Sequence, residues 1–252
     1  MRVSLIIASF QRAQLLHWNL VSLARQNFPD EMETLVVNDG LPDETEAVCA
    51  PFQARLNLKY LFVGQRNLAG TLHWRVPGFA YNIGARQSSG TILIICCAEM
   101  FHVNDTVAQL VAAVCANCKN LAIPFGKDDR DGYALQAVIA QNGGFDPQLF
   151  PQYIDLDTHL PFLLAVGREE FFKIGGFDED FTGIAFDDND LVERLQKNGC
   201  CYCQTEARAI HLYHPRYMYE VGMNDQWHYN RNLYMARGNR IIRNQNREWG
   251  KL

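Results

Sequence analysis

Residues 3–9 form an unbroken β-branched and apolar run that stops at the polar turn Phe10-Gln11-Arg12, the pattern of a strand covered on both faces in a parallel sheet. The spacing then turns helical over residues 13–26, where Leu15, Leu16, Leu20 and Leu23 recur on one side. Residues 33–38 read as a second buried strand, broken by Asp39-Gly40 and Pro42, and a short acidic helix starts at Asp43. A third strand covers 58–63, and the Gly-, Asn- and Trp-containing stretch 64–78 is a loop. A helix over 80–88 closes at Ser89-Gly90, and 91–97 is the most apolar strand of the chain. Strands that alternate with helices predict right-handed βαβ units, a mostly parallel sheet flanked by helices, and a ligand at the carboxyl ends of the strands.

The second half is less regular. Asn104 or Asp105 caps a helix to Cys118, and 124–161, rich in Gly, Pro and Asp, predicts an irregular excursion with short strands. A strand and helix over 163–174 lead to Gly175-Gly176. The helix 188–198 is stopped by Gly199, and a strand over 201–212 ends beside His211 and His214. No internal repeat or linker divides the chain. Its 252 residues, 48% of them hydrophobic, suffice for one core and one α/β domain.

Net charge and segment length narrow the function. A formal charge of −5 and a pI near 5.8 lack the basic excess of a protein that wraps a phosphate backbone, so nucleic acid is not the expected partner. No run reaches the roughly 20 apolar residues that span a bilayer, and the chain opens directly on a strand pattern, so a cytoplasmic location is expected. Seven of the eight cysteines cluster as Cys96-Cys97, Cys115 with Cys118, and Cys200-Cys201 with Cys203, unlike a disulfide framework, and all read as reduced thiols. A zinc site joining Cys115, Cys118, Cys201 and Cys203 is the competing reading of that spacing.

Several segments carry chemistry in a fixed order. They are Ser4-Leu-Ile-Ile-Ala-Ser-Phe-Gln-Arg12, Leu35-Val-Val-Asn-Asp-Gly40, Ala80-Tyr-Asn-Ile-Gly-Ala-Arg86, Cys97-Ala-Glu99, Gly175-Gly-Phe-Asp, Asp187-Asp-Asn-Asp190 and Ala209-Ile-His-Leu-Tyr-His214. Each has a bland reading. Asp-Gly makes turns, Asn82 and Arg86 suit a helix surface, a histidine at a strand end packs, and aspartates favour helix N-termini. Four acids in Asp187, Asp188, Asp190 and Glu193 nevertheless exceed what one cap requires, and their repulsion has to be offset.

Taken together and in order, the segments resemble glycosyltransferase family 2 enzymes of the GT-A fold from Val3 to about His214, with a galactosyltransferase-like acidic motif towards the C-terminus. The resemblance implies a GT-A domain over 1–215, with a nucleotide-binding half to about residue 100 and an acceptor-binding half beyond it. It implies transfer of a sugar from a nucleoside-diphosphate donor, a UDP-sugar for preference, to a glycan or other hydroxyl acceptor, with inversion and with Mn²⁺ or Mg²⁺. Ala8, Ser9, Phe10, Arg12, Asp39, Asn82, Arg86 and Ala98 are then expected on the nucleotide-sugar. Glu99 is expected on the metal, with His211, or His214 as the alternative. Gly183 and Asp187 are expected on the acceptor, and Asp188 as the base that takes the acceptor proton.

The chain departs from the family pattern where Gln11 replaces Asn, where Ile184 and Phe186 replace Trp and Gly, and where Cys97 replaces the first acid of Asp-x-Asp. That last change keeps open a sugar-binding or scaffolding relative without catalysis. A nucleotidyltransferase, which also uses a strand-helix nucleotide fold with acidic metal ligands, is the other reading, although the chain has no Gly-rich, Lys-containing phosphate loop near its first strand. The aromatic and arginine-rich tail 216–252 is expected as a lid over the diphosphate, an oligomer or peripheral membrane contact, or a solvated helix.

Overall fold

A computed structural model of the chain describes residues 2–27, 31–64, 75–216 and 223–252. Most of the loop expected over 64–78 lies outside the described residues. The first half runs β1 (Val3–Ser9), α1 (Ala13–Ala24), β2 (Met32–Asn38), α2 (Thr45–Cys49), α3 (Gln53–Leu56), β3 (Leu58–Phe62), α4 (Gly78–Gln87) and β4 (Ile92–Cys97). The second half runs β5 (Met100–His102), α5 (Thr106–Ala116), β6 (Asn120–Asp128), α6 (Tyr133–Ala140), β7 (Ile154–Leu156), β8 (Leu163–Gly167), α7 (Arg168–Lys173), α8 (Asp187–Lys197), β9 (Cys201–His211) and α9 (Met223–Arg237).

The sheet order is β3-β2-β1-β4-β8-β6-β9-β5, with β7 on β6. β3, β2, β1 and β4 are parallel, with Val3 opposite Met32 and Ile92. Beyond β4 the sheet is mixed. β8 runs antiparallel to β4 and β6, β9 is parallel to β6, and β5 is antiparallel to β9. The chain passes from β1 to β2 on one side and later to β4 on the other, so the order reverses at the carboxyl end of β1, where open α/β sheets bind ligands.

The continuous apolar pattern of β1 is explained by cover on both faces. Val3, Leu5 and Ile7 pack with Leu16, Leu20 and Leu23 of α1 and with Val107 and Leu110 of α5. Ile6 faces the other way, against Ala80 and Ile83 of α4 and the layer of Phe171, Phe177, Leu191 and Trp249. A Cβ on Gly84 would lie 2.3 Å from Ile6 Cγ2, so the Gly in this helix lets α4 sit directly on β1.

The excursion expected over 124–161 is more regular than its composition. β6 runs through Pro124 to Asp128, and the register shifts between Ile123 and Phe125. Proline is tolerated in a strand at such a bulge. The tail is an integral part of the fold. Trp249 is buried against Phe171 and Phe172, and α9 reaches the loop before α8 through Asn230 and Tyr234. Among the described residues no helix is long and apolar enough to cross a membrane. None of the eight cysteines, all of them among the described residues, is joined in a disulfide. Among the described residues Cys115, Cys118, Cys201 and Cys203 form no group close enough to share an ion.

Candidate active site

A cavity of about 260 Å³ opens at the switch point. Ala8, Ser9, Phe10 and Arg12 after β1, Asp39 after β2, Cys97 and Glu99 after β4, and Asp187 and Asp188 at the start of α8 all line it, with Arg75, Tyr81 and Phe177. Residues separated by up to 180 positions converge because the sheet presents its strand ends side by side. Phe10 lies over Gly40, where a Cβ would come 2.1 Å from the ring. Asp39 is held at the wall by two nitrogens of Arg75, Nε at 2.6 Å and Nη2 at 2.9 Å, and Arg75 itself lies over Phe79. Arg75 stands in a loop whose composition did not single it out.

At the far wall Arg12 Nε donates to Glu99 Oε1 at 2.8 Å. The pairing of Met100 with His211, and the bond from Leu212 N–H to the Glu99 carbonyl at 2.9 Å, bring the end of β9 beside the end of β4. One ligand atom each from Cys97, Glu99 and His211 then lie within 4.8 Å of one another. Burial raises the Glu99 carboxyl, but His211, His214 and Arg12 outweigh it and hold the group below its ordinary range. His214 Nε2 is 3.9 Å from Glu99 Oε1, and its Nδ1 lies 2.8 Å from the Pro215 carbonyl.

His211 Nδ1 meets Asp128 Oδ1 at 3.2 Å, and Arg216 Nη2 donates to both Asp128 oxygens at 2.7 and 2.8 Å. The His211 bond, set against burial and joined by Arg216, holds Asp128 far below the usual carboxylate range. A carboxylate on one imidazole nitrogen fixes the ring and leaves the other free for a ligand. Sequence reasoning missed Asp128, since it lies in the irregular-looking segment and its partner is 83 positions away. The donor set of thiol, carboxylate and oriented imidazole fits a divalent cation, with Arg12 competing for one oxygen of Glu99.

The aspartates of 178–190 divide into two groups. Asp178 and Asp180 pair with Arg237, Arg243 and Arg247, and Asp190 pairs with Arg194 at 2.6 Å and Arg243 at 2.7 Å. Those arginines come largely from the tail, which supplies the offset that the acid cluster requires. Among the described residues Asp187 and Asp188 have no ion-pair partner. Buried Asp187 accepts from Gly78 N–H at 3.2 Å, and half-buried Asp188 accepts from Asn189 N–H at 2.8 Å. Desolvation, and for Asp187 also the Asp188 charge, push both carboxyls upward.

The loop before them is strained. Ala185 (φ 69°) and Phe186 (φ 70°) take left-handed backbone without glycine, an arrangement that needs external support. Asn230 of α9 supplies it. Its Nδ2 donates to the carbonyls of Thr182, Ile184 and Ala185 at 2.6, 2.7 and 3.0 Å, and its Oδ1 accepts from Thr182 N–H. Phe186 also packs against Trp227 and Tyr234.

Six expected residues stand outside the cavity lining: His211 and His214 lie beside Glu99, and four others are placed elsewhere. Asn82 is buried and exchanges bonds with Phe177, Nδ2 to its carbonyl and Oδ1 from its N–H, both at 2.9 Å. Arg86 lies over Trp249 and Phe172 on the outer side of α4. Ala98 is packed in the core, and Gly183 (φ 63°) belongs to the loop held by Asn230. Asn82 and Arg86 thus join α4 to the Gly175-Gly176 turn and the tail.

Residues 4–137 match the model of glycosyl transferase family 2, and residues 158–216 match a model described as the N-terminal domain of galactosyltransferase. Validoxylamine A glucosyltransferase of Streptomyces hygroscopicus subsp. limoneus is 28% identical over 78% of the chain, which spans 48% of that relative's length. Among solved structures, the mannosyltransferase PcManGT from Pyrobaculum calidifontis, in complex with GDP-Man and Mn²⁺, superposes with a TM-score of 0.58. The match has 18% identity and covers 93% of this chain and 61% of the other. GalNAc-T7 with UDP, GalNAc and Mn²⁺ gives a TM-score of 0.62 at 16% identity, over 84% of this chain and 44% of the other. At these identities the structural likeness concerns the GT-A fold.

Proposed function

The chain belongs to glycosyl transferase family 2, and we propose that it transfers a sugar from a nucleoside-diphosphate donor, a UDP-sugar for preference, to an acceptor hydroxyl with inversion. The observation that carries the reading is the pair Asp187 and Asp188. They face the same cavity as Asp39 and Glu99 and have no cation partner among the described residues, while Asp178, Asp180 and Asp190 beside them are neutralised by arginines. A helix cap needs no such selective exposure.

In this reading Ala8, Ser9 and Phe10 form the nucleotide wall, and Asp39, braced by Arg75, accepts a hydrogen bond from the base, a charge-assisted contact that selects it. Glu99 and His211 hold a divalent cation, Mn²⁺ or Mg²⁺, with Asp128 orienting the imidazole. When bound, that ion neutralises charge that builds on the diphosphate as it leaves. Asp187 positions the acceptor, Gly183 lies in the adjoining loop, and Asp188 takes the hydroxyl proton as the oxygen attacks the anomeric carbon. An upward-shifted carboxyl is a stronger base than an ordinary aspartate, provided that it is ionised at the working pH. One base and a single displacement invert the anomeric centre.

Thermal-shift measurements with UDP-, GDP- and ADP-sugars, each with and without Mn²⁺, test the donor class. A ligand that binds only the folded chain raises its stability by RT ln(1 + [L]/Kd). A UDP-sugar is expected to raise Tm most, and Asp39→Ala to remove most of that rise. Absence of a shift with every nucleotide-sugar would contradict the reading.

A further inference from the structure

The residue that departs most from the family's acidic motif lies within the cation site. Cys97 ends β4 and lines the cavity, two residues before Glu99. Its neighbour Cys96 points the opposite way, fully buried among the apolar side chains under α1, where Asn19 Nδ2 reaches its sulfur at 3.5 Å. The alternation of a strand thus assigns one thiol to the core and the other to the site. Cys97 Sγ, a Glu99 oxygen and a His211 nitrogen lie within 4.8 Å of one another. Bonds of about 2.0 to 2.3 Å to a tetrahedral ion separate ligand atoms by roughly 3.3 to 3.8 Å, so a closure of about 1 Å brings all three onto one ion.

We propose that the Cys97 thiolate is itself a ligand, which makes this a Cys-Glu-His centre that prefers Zn²⁺ and Co²⁺ to Mg²⁺. The proposal rests on the cation reading above and narrows it. Oxygen donors alone suit Mg²⁺ and Mn²⁺, whereas thiolate and imidazole favour softer ions. Ion binding replaces the S–H bond by an S–metal bond, the proton leaves to bulk solvent, and nothing is oxidised. Asp128, bonded to His211 Nδ1, leaves Nε2 for the ion.

Co²⁺ reports the bond directly, because a thiolate ligand gives a charge-transfer absorption in the near ultraviolet that oxygen and nitrogen donors do not. Chelator-treated full-length chain is titrated with Co²⁺, followed by absorbance and by equilibrium dialysis, and then challenged with Zn²⁺ or Mg²⁺. The expected result is one equivalent of Co²⁺ with the band, displaced by Zn²⁺ at far lower concentration than by Mg²⁺. Cys97→Ser, checked for folding by circular dichroism, is expected to lose the band and to bind Zn²⁺ at least roughly tenfold more weakly. Cys118→Ser is expected to keep both. Cys97→Asp provides a second arm if the serine variant does not fold, and is expected to lose the band while gaining affinity for Mg²⁺. A band that survives in Cys97→Ser overturns the proposal. Stoichiometric Co²⁺ without the band overturns the thiolate but leaves the Glu99 and His211 reading standing, whereas no binding of any ion overturns both.

Discussion

Asn230 connects the tail to the acidic pair, and Asn230→Ala tests that connection. The side chain is fully buried, donates to three carbonyls of the loop 182–185 and accepts from Thr182 N–H. Truncation leaves these backbone groups without partners. At about 0.5–1.5 kcal/mol net for each bond, and about 1–3 kcal/mol for a buried group left unsatisfied, the loss is about 2–4 kcal/mol. In a chain of this size, that lowers Tm by roughly 5–15 °C. The loop also holds Ala185 and Phe186 in left-handed backbone directly before Asp187, and released, it relaxes and shifts the acidic pair. A displacement near 1 Å at reacting groups costs up to roughly 100-fold in rate, so kcat is expected to fall by about 10- to 100-fold with donor affinity retained. Differential scanning fluorimetry and a transferase assay below the variant's melting range measure both effects. Asn230→Asp keeps the acceptor for Thr182 but turns oxygen towards three carbonyls, so it is expected to be at least as damaging. A wild-type Tm and kcat in either variant would refute the bracing role.

Other consequences follow from the charges at the site. Burial and Asp188 raise the Asp187 carboxyl, so the folded chain keeps a proton that the unfolded chain loses near pH 4, and stability falls as pH rises from there towards the folded value. Asp187→Asn, which preserves the Gly78 contact, is expected to match wild type in Tm near pH 4 and to exceed it increasingly towards pH 8; a pH-independent difference would contradict the shift. Asp128→Asn is expected to raise the Mn²⁺ concentration for half-maximal activity by about 10- to 100-fold, with His211→Ala at least as severe, and an unchanged metal dependence in both would exclude His211 as a ligand.

Buried strands were legible because both of their faces are covered. β1, β2 and β4 have near-continuous apolar sequences, and the polar residues at or just after their carboxyl ends, Ser9, Asp39 and Glu99, mark the cavity for the same geometric reason. β6 was hidden by Pro124 at its bulge and by Gly126, where a Cβ would meet Thr158 Cγ2 at 2.4 Å. The parallel order of the mostly parallel sheet expected holds from β3 to β4, and β8 reverses direction beside β4, a choice made by tertiary packing that no local pattern records. Asn82 and Arg86 were expected on the donor from the family resemblance, and helical spacing alone does not say which side of α4 meets the cavity. The ion pairs from the tail to Asp178, Asp180 and Asp190 join residues some 50 to 70 positions apart, and only the folded chain reveals which acids remain unpaired.

The central claim is that Asp188 acts as the base, and single-turnover transfer by Asp188→Asn at saturating donor tests it most directly. The variant keeps the size of the side chain and its hydrogen-bonding oxygen, but it cannot take up a full proton. The account predicts a rate lower by roughly two to four orders of magnitude, with unchanged donor affinity and Tm near wild type or above it. Asn caps a helix about as well as Asp, so turnover near wild type in a folded Asp188→Asn variant would mean that the carboxylate only caps α8, and would contradict the account.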